Sequence, residues 1–180
     1  VTNDYEKNGT LPQEMPIVSE KGMEIFADAE MGAKVLKKVK KKTSTAEFLK
    51  AFAAQIKAGD YAAIQAFIPM NAATRKALDT LRLKLRDKYK VAATVGFGPR
   101  FLHSTGQLHK GGKNEGVFYQ LTCDDAKDAP IAGRPYSFGV VKASQAIGDL
   151  ESLKSRKYRA VRIHLSKNPV KDLAALVKMV

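Results

Sequence analysis

Tryptophan is absent from this chain, and cysteine nearly so. The one thiol, Cys123, has no internal partner for a disulfide, which fits a reducing compartment. No stretch approaches the roughly 20 consecutive apolar residues that a membrane-spanning helix needs, and no secretory signal pattern is present. The expectation is a cytoplasmic protein with no membrane partner. Acidic residues are scarce: 18 Asp and Glu face 31 Lys and Arg, for a formal charge of +13. That excess is concentrated. Lys34, Lys37, Lys38, Lys40, Lys41 and Lys42 lie within nine residues, and without them the balance falls to +7. Such a run reads as a solvated basic linker or helix face, with a weak apolar stripe from Val35, Leu36 and Val39, and is expected to stay mobile through self-repulsion. Without a helix-turn-helix, zinc-finger or RNA-recognition pattern, so local a charge excess is not enough to expect nucleic acid as a partner. Histidine is rare as well, and His103 and His109 have no third ligand at useful spacing, so no metal site is expected.

What the chain does contain is a regular alternation of elements. Hydrophobic residues make up 44% of it, enough for one core, and its length suits a single domain. Residues 1–8 suggest a short helix stopped by Gly9. Two prolines then oppose regular structure across residues 10–16. Ile17-Val18 and Met23 to Phe26 suggest a hairpin turning at Lys21-Gly22. Ser44 to Glu47 fits a capping box, with Phe48, Leu49, Phe52 and Ile56 on one helical face. Tyr61 to Ile68 reads as a strand, and Asn71 caps a helix from Ala72 to about Tyr89. Val91 to Val95 and Val117 to Leu121 read as buried strands, and Ser137 to Lys157 as a helix. Tyr158 to Leu165 alternates like a strand, and Asn168-Pro169 opens a last helix. The order strand–helix–strand–short helix–strand–helix–strand–helix predicts a three-layer α/β fold, with a mainly parallel sheet and helices on both faces. Residues 1–43 are expected to form a small N-terminal arm and basic linker, and residues 44–180 the α/β domain.

The chemistry-bearing residues crowd between two strands. After Gly96-Phe97-Gly98 come Arg100, His103, Ser104, Thr105, Gln107, His109 and Lys110, closed by Gly111 and Gly112. Glycines at a strand end can offer backbone N–H groups to an anion, and hydroxyls with a cation can complete a phosphate cradle. Gly98, Arg100, Ser104, Thr105, Gln107, Lys110, Gly111 and Gly112 are therefore the expected phosphate or substrate contacts. His103, His109 and Lys110 are the candidates for acid–base work, since imidazole titrates near neutrality. The alternative is that the histidines serve as structural hydrogen-bonding groups. Cys123, with no paired base nearby, reads as a small buried residue, and His164 on its alternating strand reads as structural.

These same residues carry a resemblance. GFGPRFLHSTGQLHKGG, then GVFYQLT, and YSFGVVKASQAIGDLESL ahead of RAVRIHL resemble the C-terminal region of bifunctional transaldolase/glucose-6-phosphate isomerase. The similarity runs from Tyr5 to the last strand and is weakest in the lysine tract. It implies a sugar-isomerase-domain fold and an aldose–ketose interconversion of glucose 6-phosphate and fructose 6-phosphate, without a cofactor. It also implies a sugar-phosphate substrate, and upstream isomerase and transaldolase domains in one polypeptide as partners. The family's phenylalanine-aspartate-glutamine signature, its ring-opening lysine and its catalytic glutamate are missing here. The resemblance places them upstream of Val1, so the chain reads as a fragment expected to be inactive alone. Its polar block then completes that active site, forms a phosphosugar site of its own, or builds an interface. A non-catalytic phosphosugar-binding or interaction domain is the competing expectation.

Overall fold

The computed structural model describes residues 2–180. α1 (Thr2–Asn8) ends at Gly9, where a φ of +68° suits a residue without a Cβ. An irregular arm then leads to the hairpin β1 (Val18–Glu20) and β2 (Met23–Ala27). Its turn places Lys21 and Gly22 at φ 54° and 80°, the doubly left-handed geometry of a tight hairpin. α2 (Ala29–Leu36) is capped by Asp28, whose carboxylate accepts from the Glu30 and Met31 N–H groups. α3 (Thr45–Ala53) starts where the Ser44 hydroxyl accepts from Glu47 N–H. The reciprocal half of the expected capping box is missing, because the Glu47 carboxylate turns to Lys40 and Lys41 N–H instead.

β3 (Tyr61–Phe67) follows, then α4 (Ala72–Tyr89), whose start carries a complete capping box between Asn71 and Thr74. β4 (Ala92–Phe97) runs into a 3-10 turn (Arg100–His103) and α5 (Thr105–Gly111). β5 (Gly116–Cys123), α6 (Phe138–Ser155), β6 (Arg159–Leu165) and α7 (Pro169–Met179) complete the chain.

The six strands form one sheet in the order β1-β2-β6-β5-β3-β4. β6, β5, β3 and β4 are parallel, and the hairpin is added antiparallel beside β6. The fold is therefore three-layer α/β, as the element order predicts. On one face, Phe48, Phe52, Leu81, Leu85, Leu173 and Leu176 of α3, α4 and α7 pack against Ile64, Tyr119 and Val161. On the other, Leu150 and Leu153 of α6 cover Ala63, Phe118 and Ala160, and Phe101 meets Phe67 and Ala146.

Two segments read as arm and linker lie inside this architecture. The hairpin is part of the sheet, with Ile25 opposite Ile163 and fully buried. The lysine tract, expected to be mobile, is instead helical up to Leu36, and its apolar stripe docks: Val35 and Val39 are 2% and 8% exposed. Burial of that stripe outweighs repulsion among lysines that all point to solvent. Among the described residues, no helix is long and apolar enough to cross a membrane.

Candidate functional site

The block between β4 and β5 divides into an outward and an inward half. Gly98 closes against the Phe67 ring, where a Cβ would come within 2.5 Å of a ring carbon. Its N–H donates to the Ala66 carbonyl at 2.9 Å and is not free for an anion. Arg100, His103, Ser104, Thr105 and Gln107 are exposed along the turn and the first part of α5. The Ser104 hydroxyl donates to the Phe101 carbonyl at 3.3 Å and does not cap α5. Phe101 anchors this half by inserting its ring beside Phe67, at 5.5 Å between centroids.

One side of α5, carrying His109 and Lys110, faces the protein, while Leu108 is left exposed. His109 is 5% exposed and ringed by Tyr61, Phe101 and Phe118. Its Nδ1 lies 3.2 Å from Gln65 Nε2. An amide nitrogen can only donate, so Nδ1 accepts and the ring is neutral with its proton on Nε2. Burial, helped by the neighbouring Lys110 charge, pulls its pKa down to about 4. Lys110 reaches Asp149 of α6 at 2.8 Å, and burial pushes that carboxyl above its ordinary range despite the ammonium. Gly111 is exposed, while the Gly112 carbonyl accepts from the Tyr158 hydroxyl at 2.6 Å. Of the three acid–base candidates, His103 is exposed, Lys110 is half-buried against Asp149, and His109 is enclosed. A seven-residue helix carries too little periodicity for sequence to show which side faces inward.

A second feature lies at the carboxyl ends of β3, β5 and β6, where sheets of this kind take ligands. A cavity of about 810 Å³ opens there between the sheet, the first turns of α6 and the N-terminal arm. The strand registers build its floor. Arg162 and Phe26 lie in one row, continued on β5 by Gln120, which is fully buried and donates to the Ala146 carbonyl; Thr122, His164 and Glu24 lie in the next. His164, expected to be only structural, lines this cavity. Its Nδ1 is 3.0 Å from the Thr122 hydroxyl, and its Nε2 is 3.4 Å from Asp124.

Arg162 lies over the Phe26 ring at 4.3 Å and pairs with Glu14 of the arm at 2.7 Å. Burial lowers the Arg162 pKa, against the pull of Glu14. Burial also opposes ionisation of Glu14, but Lys154 and Arg162 outweigh it and hold that carboxyl below its usual range. Lys142 is paired with Asp125, and Asp128 accepts from Ser137 and from Gly139 N–H. Cys123, at the edge of the cavity, is a buried free thiol whose pKa burial raises. Among the described residues, no group of three or more His, Cys, Asp or Glu is placed to hold a metal. Sequence did carry a signal for this floor: polar residues two apart, at 120 and 122 and again at 162 and 164, must share a face of the sheet.

No family model and no curated protein matches the chain. Among solved structures it is similar to the hypothetical protein TT0462 from Thermus thermophilus, with a TM-score of 0.61 at 10% identity. The likeness is one of fold. It covers 83% of this chain but only 40% of that one, so the chain spans less than half the length of this neighbour.

Proposed function

We propose that this chain is the C-terminal part of a glucose-6-phosphate isomerase, carried with a transaldolase in one longer cytoplasmic polypeptide. In this reading the Arg100–Gln107 surface helps to hold the sugar phosphate. The observation that supports it is the placement of the GPRFLHSTGQLHKGG block: it follows β4 at the carboxyl end of the parallel sheet, with Arg100, His103, Ser104 and Thr105 exposed. A guanidinium can meet a phosphate with two parallel hydrogen bonds, and hydroxyls can add neutral donors.

Aldose–ketose isomerisation also needs a base to carry a proton between C2 and C1. The exposed block contains no carboxylate, and His109 is enclosed by aromatic rings. The base therefore comes from outside this block; the resemblance puts it in the upstream part of the longer protein. A coupled assay tests the reading. The chain alone should turn over glucose 6-phosphate about 10²–10⁴-fold more slowly than the longer protein, as expected when a general base is missing. Turnover at the level of the longer protein would overturn it. Titration with fructose 6-phosphate addresses the contacts: Arg100→Ala and Thr105→Ala should each weaken binding, the arginine by about 1.5–3 kcal/mol.

The inward turn of His109 and Lys110 favours a second reading, a phosphosugar-binding domain without a part in catalysis. Under it, Arg100→Ala abolishes binding by the chain yet leaves turnover of the longer protein unchanged.

A further inference from the structure

We propose that the cavity at the carboxyl ends of β5 and β6 binds a small hydroxyl-rich molecule bearing an amine, a ligand opposite in charge to a sugar phosphate. The local sign is the first argument. In a protein of charge +13, the cavity is lined by five carboxylates and two cations. Both cations are already neutralised, Arg162 by Glu14 and Lys142 by Asp125. A phosphate entering here would find no uncommitted positive charge and a net negative field, while an ammonium would be attracted.

The second argument concerns which acceptors remain. Glu14 and Asp125 serve those ion pairs, and Asp128 serves Ser137 and the start of α6. Glu24, which also faces the Arg162 charge, lies on the floor beside His164, its register partner on β6, and Asp124 meets the far side of the same imidazole at 3.4 Å; a carboxylate accepts several hydrogen bonds, so both keep acceptor capacity. Two carboxylates flanking an imidazole and the Thr122 hydroxyl offer acceptors for an ammonium and for adjacent hydroxyls. The third argument is shape. The cavity volume lies within the roughly 300–1,000 Å³ range of small-molecule sites. Phe26, Phe67 and Ile147 supply apolar wall for the carbon skeleton, and Thr10 and Gln13 of the arm bring further polar groups over it.

This inference uses none of the residues of the Arg100–Gln107 surface and stands apart from the isomerase reading. Calorimetric titration of the whole chain with glucosamine, glucose and glucose 6-phosphate tests it, with Glu24→Gln and Asp124→Asn as variants. Glucosamine should bind, and glucose should bind about tenfold more weakly, having lost one charge-assisted contact. Each variant should weaken glucosamine by a similar factor while leaving any glucose 6-phosphate binding unchanged. Asp124 is largely exposed, so its variant reports on the cavity even if Glu24→Gln lowers stability. The proposal is overturned if glucosamine gives no saturable heat, if it binds no better than glucose, or if Asp124→Asn leaves its affinity unchanged.

Discussion

His109 is held neutral by its surroundings, and that makes it a measurable source of acid sensitivity. Its pKa falls from an ordinary 6.5 to about 4 on folding. Between those values the unfolded chain binds the extra proton, so stability is complete above pH 6.5 and is lost as pH falls toward 4. The full effect is about 3 kcal/mol. Asp149 works in the opposite direction, since burial raises its pKa and acid relieves the burial of its charge. The comparison that isolates His109 is therefore wild type against His109→Gln, by urea unfolding at pH 7 and pH 5. The glutamine variant should lose clearly less stability on acidification; an identical loss would show that the imidazole is not responsible. A second residue-scale expectation concerns Asp60, 6% exposed, which receives Arg159 through two bonds of 2.6 and 2.8 Å. Asp60→Asn leaves the guanidinium without its counter-charge at the amino ends of β3 and β6, though still bonded to the Gln55 and Asn114 carbonyls, and should cost about 1.5–3 kcal/mol in denaturant unfolding. A change below about 0.5 kcal/mol, typical of an exposed site, would show that solvent supports Arg159 equally well.

Among the elements, α2 best shows how one property of a sequence can conceal another. Six lysines dominate any compositional view of residues 34–42, yet Met31, Val35 and Val39 recur every four positions and all three are buried. Val35→Ala should therefore cost about 1–3 kcal/mol, while Lys37→Ala should stay within about 0.5 kcal/mol. Equal, small effects in guanidinium unfolding would mean that the tract does not dock in solution. Elements announced by local chemistry were legible: Ser44, Asn71 and Asn168 as caps, Gly9 as a stop, and Lys21-Gly22 as a turn. The cavity was not legible as a site. Alternation in β6 shows that Arg162 and His164 share a face, but only the fold brings Glu24 beside them and lays Glu14 across the row. The polar block was visible as a cluster, whereas the inward half of α5 is decided by Gln65, forty-four positions away from His109.

At the scale of the whole molecule, the arm and the sheet contribute separately. Residues 2–16 touch the body through α1 on α6 and through Glu14, which pairs with Lys154 and Arg162. The hairpin and both packed faces lie outside that segment. A chain lacking residues 1–16 should still unfold in one cooperative step, at a lower temperature because Arg162 loses its counter-ion; two separate transitions in calorimetry would show that the arm organises more than the cavity. The antiparallel hairpin also gives the molecule an order in time. Of the six strands, β2 is the second to be synthesised, but β6, which lies beside it in the sheet, is the last. At about 5–20 residues per second, on the order of ten seconds separate the two on the ribosome. Throughout that interval β2 has only β1 beside it, and its other edge, carrying Ile25 and Phe26, waits for β6. The growing chain thus carries a hairpin with one unpaired, apolar edge, and the arrival of β6 both joins it to the sheet and removes that exposed surface.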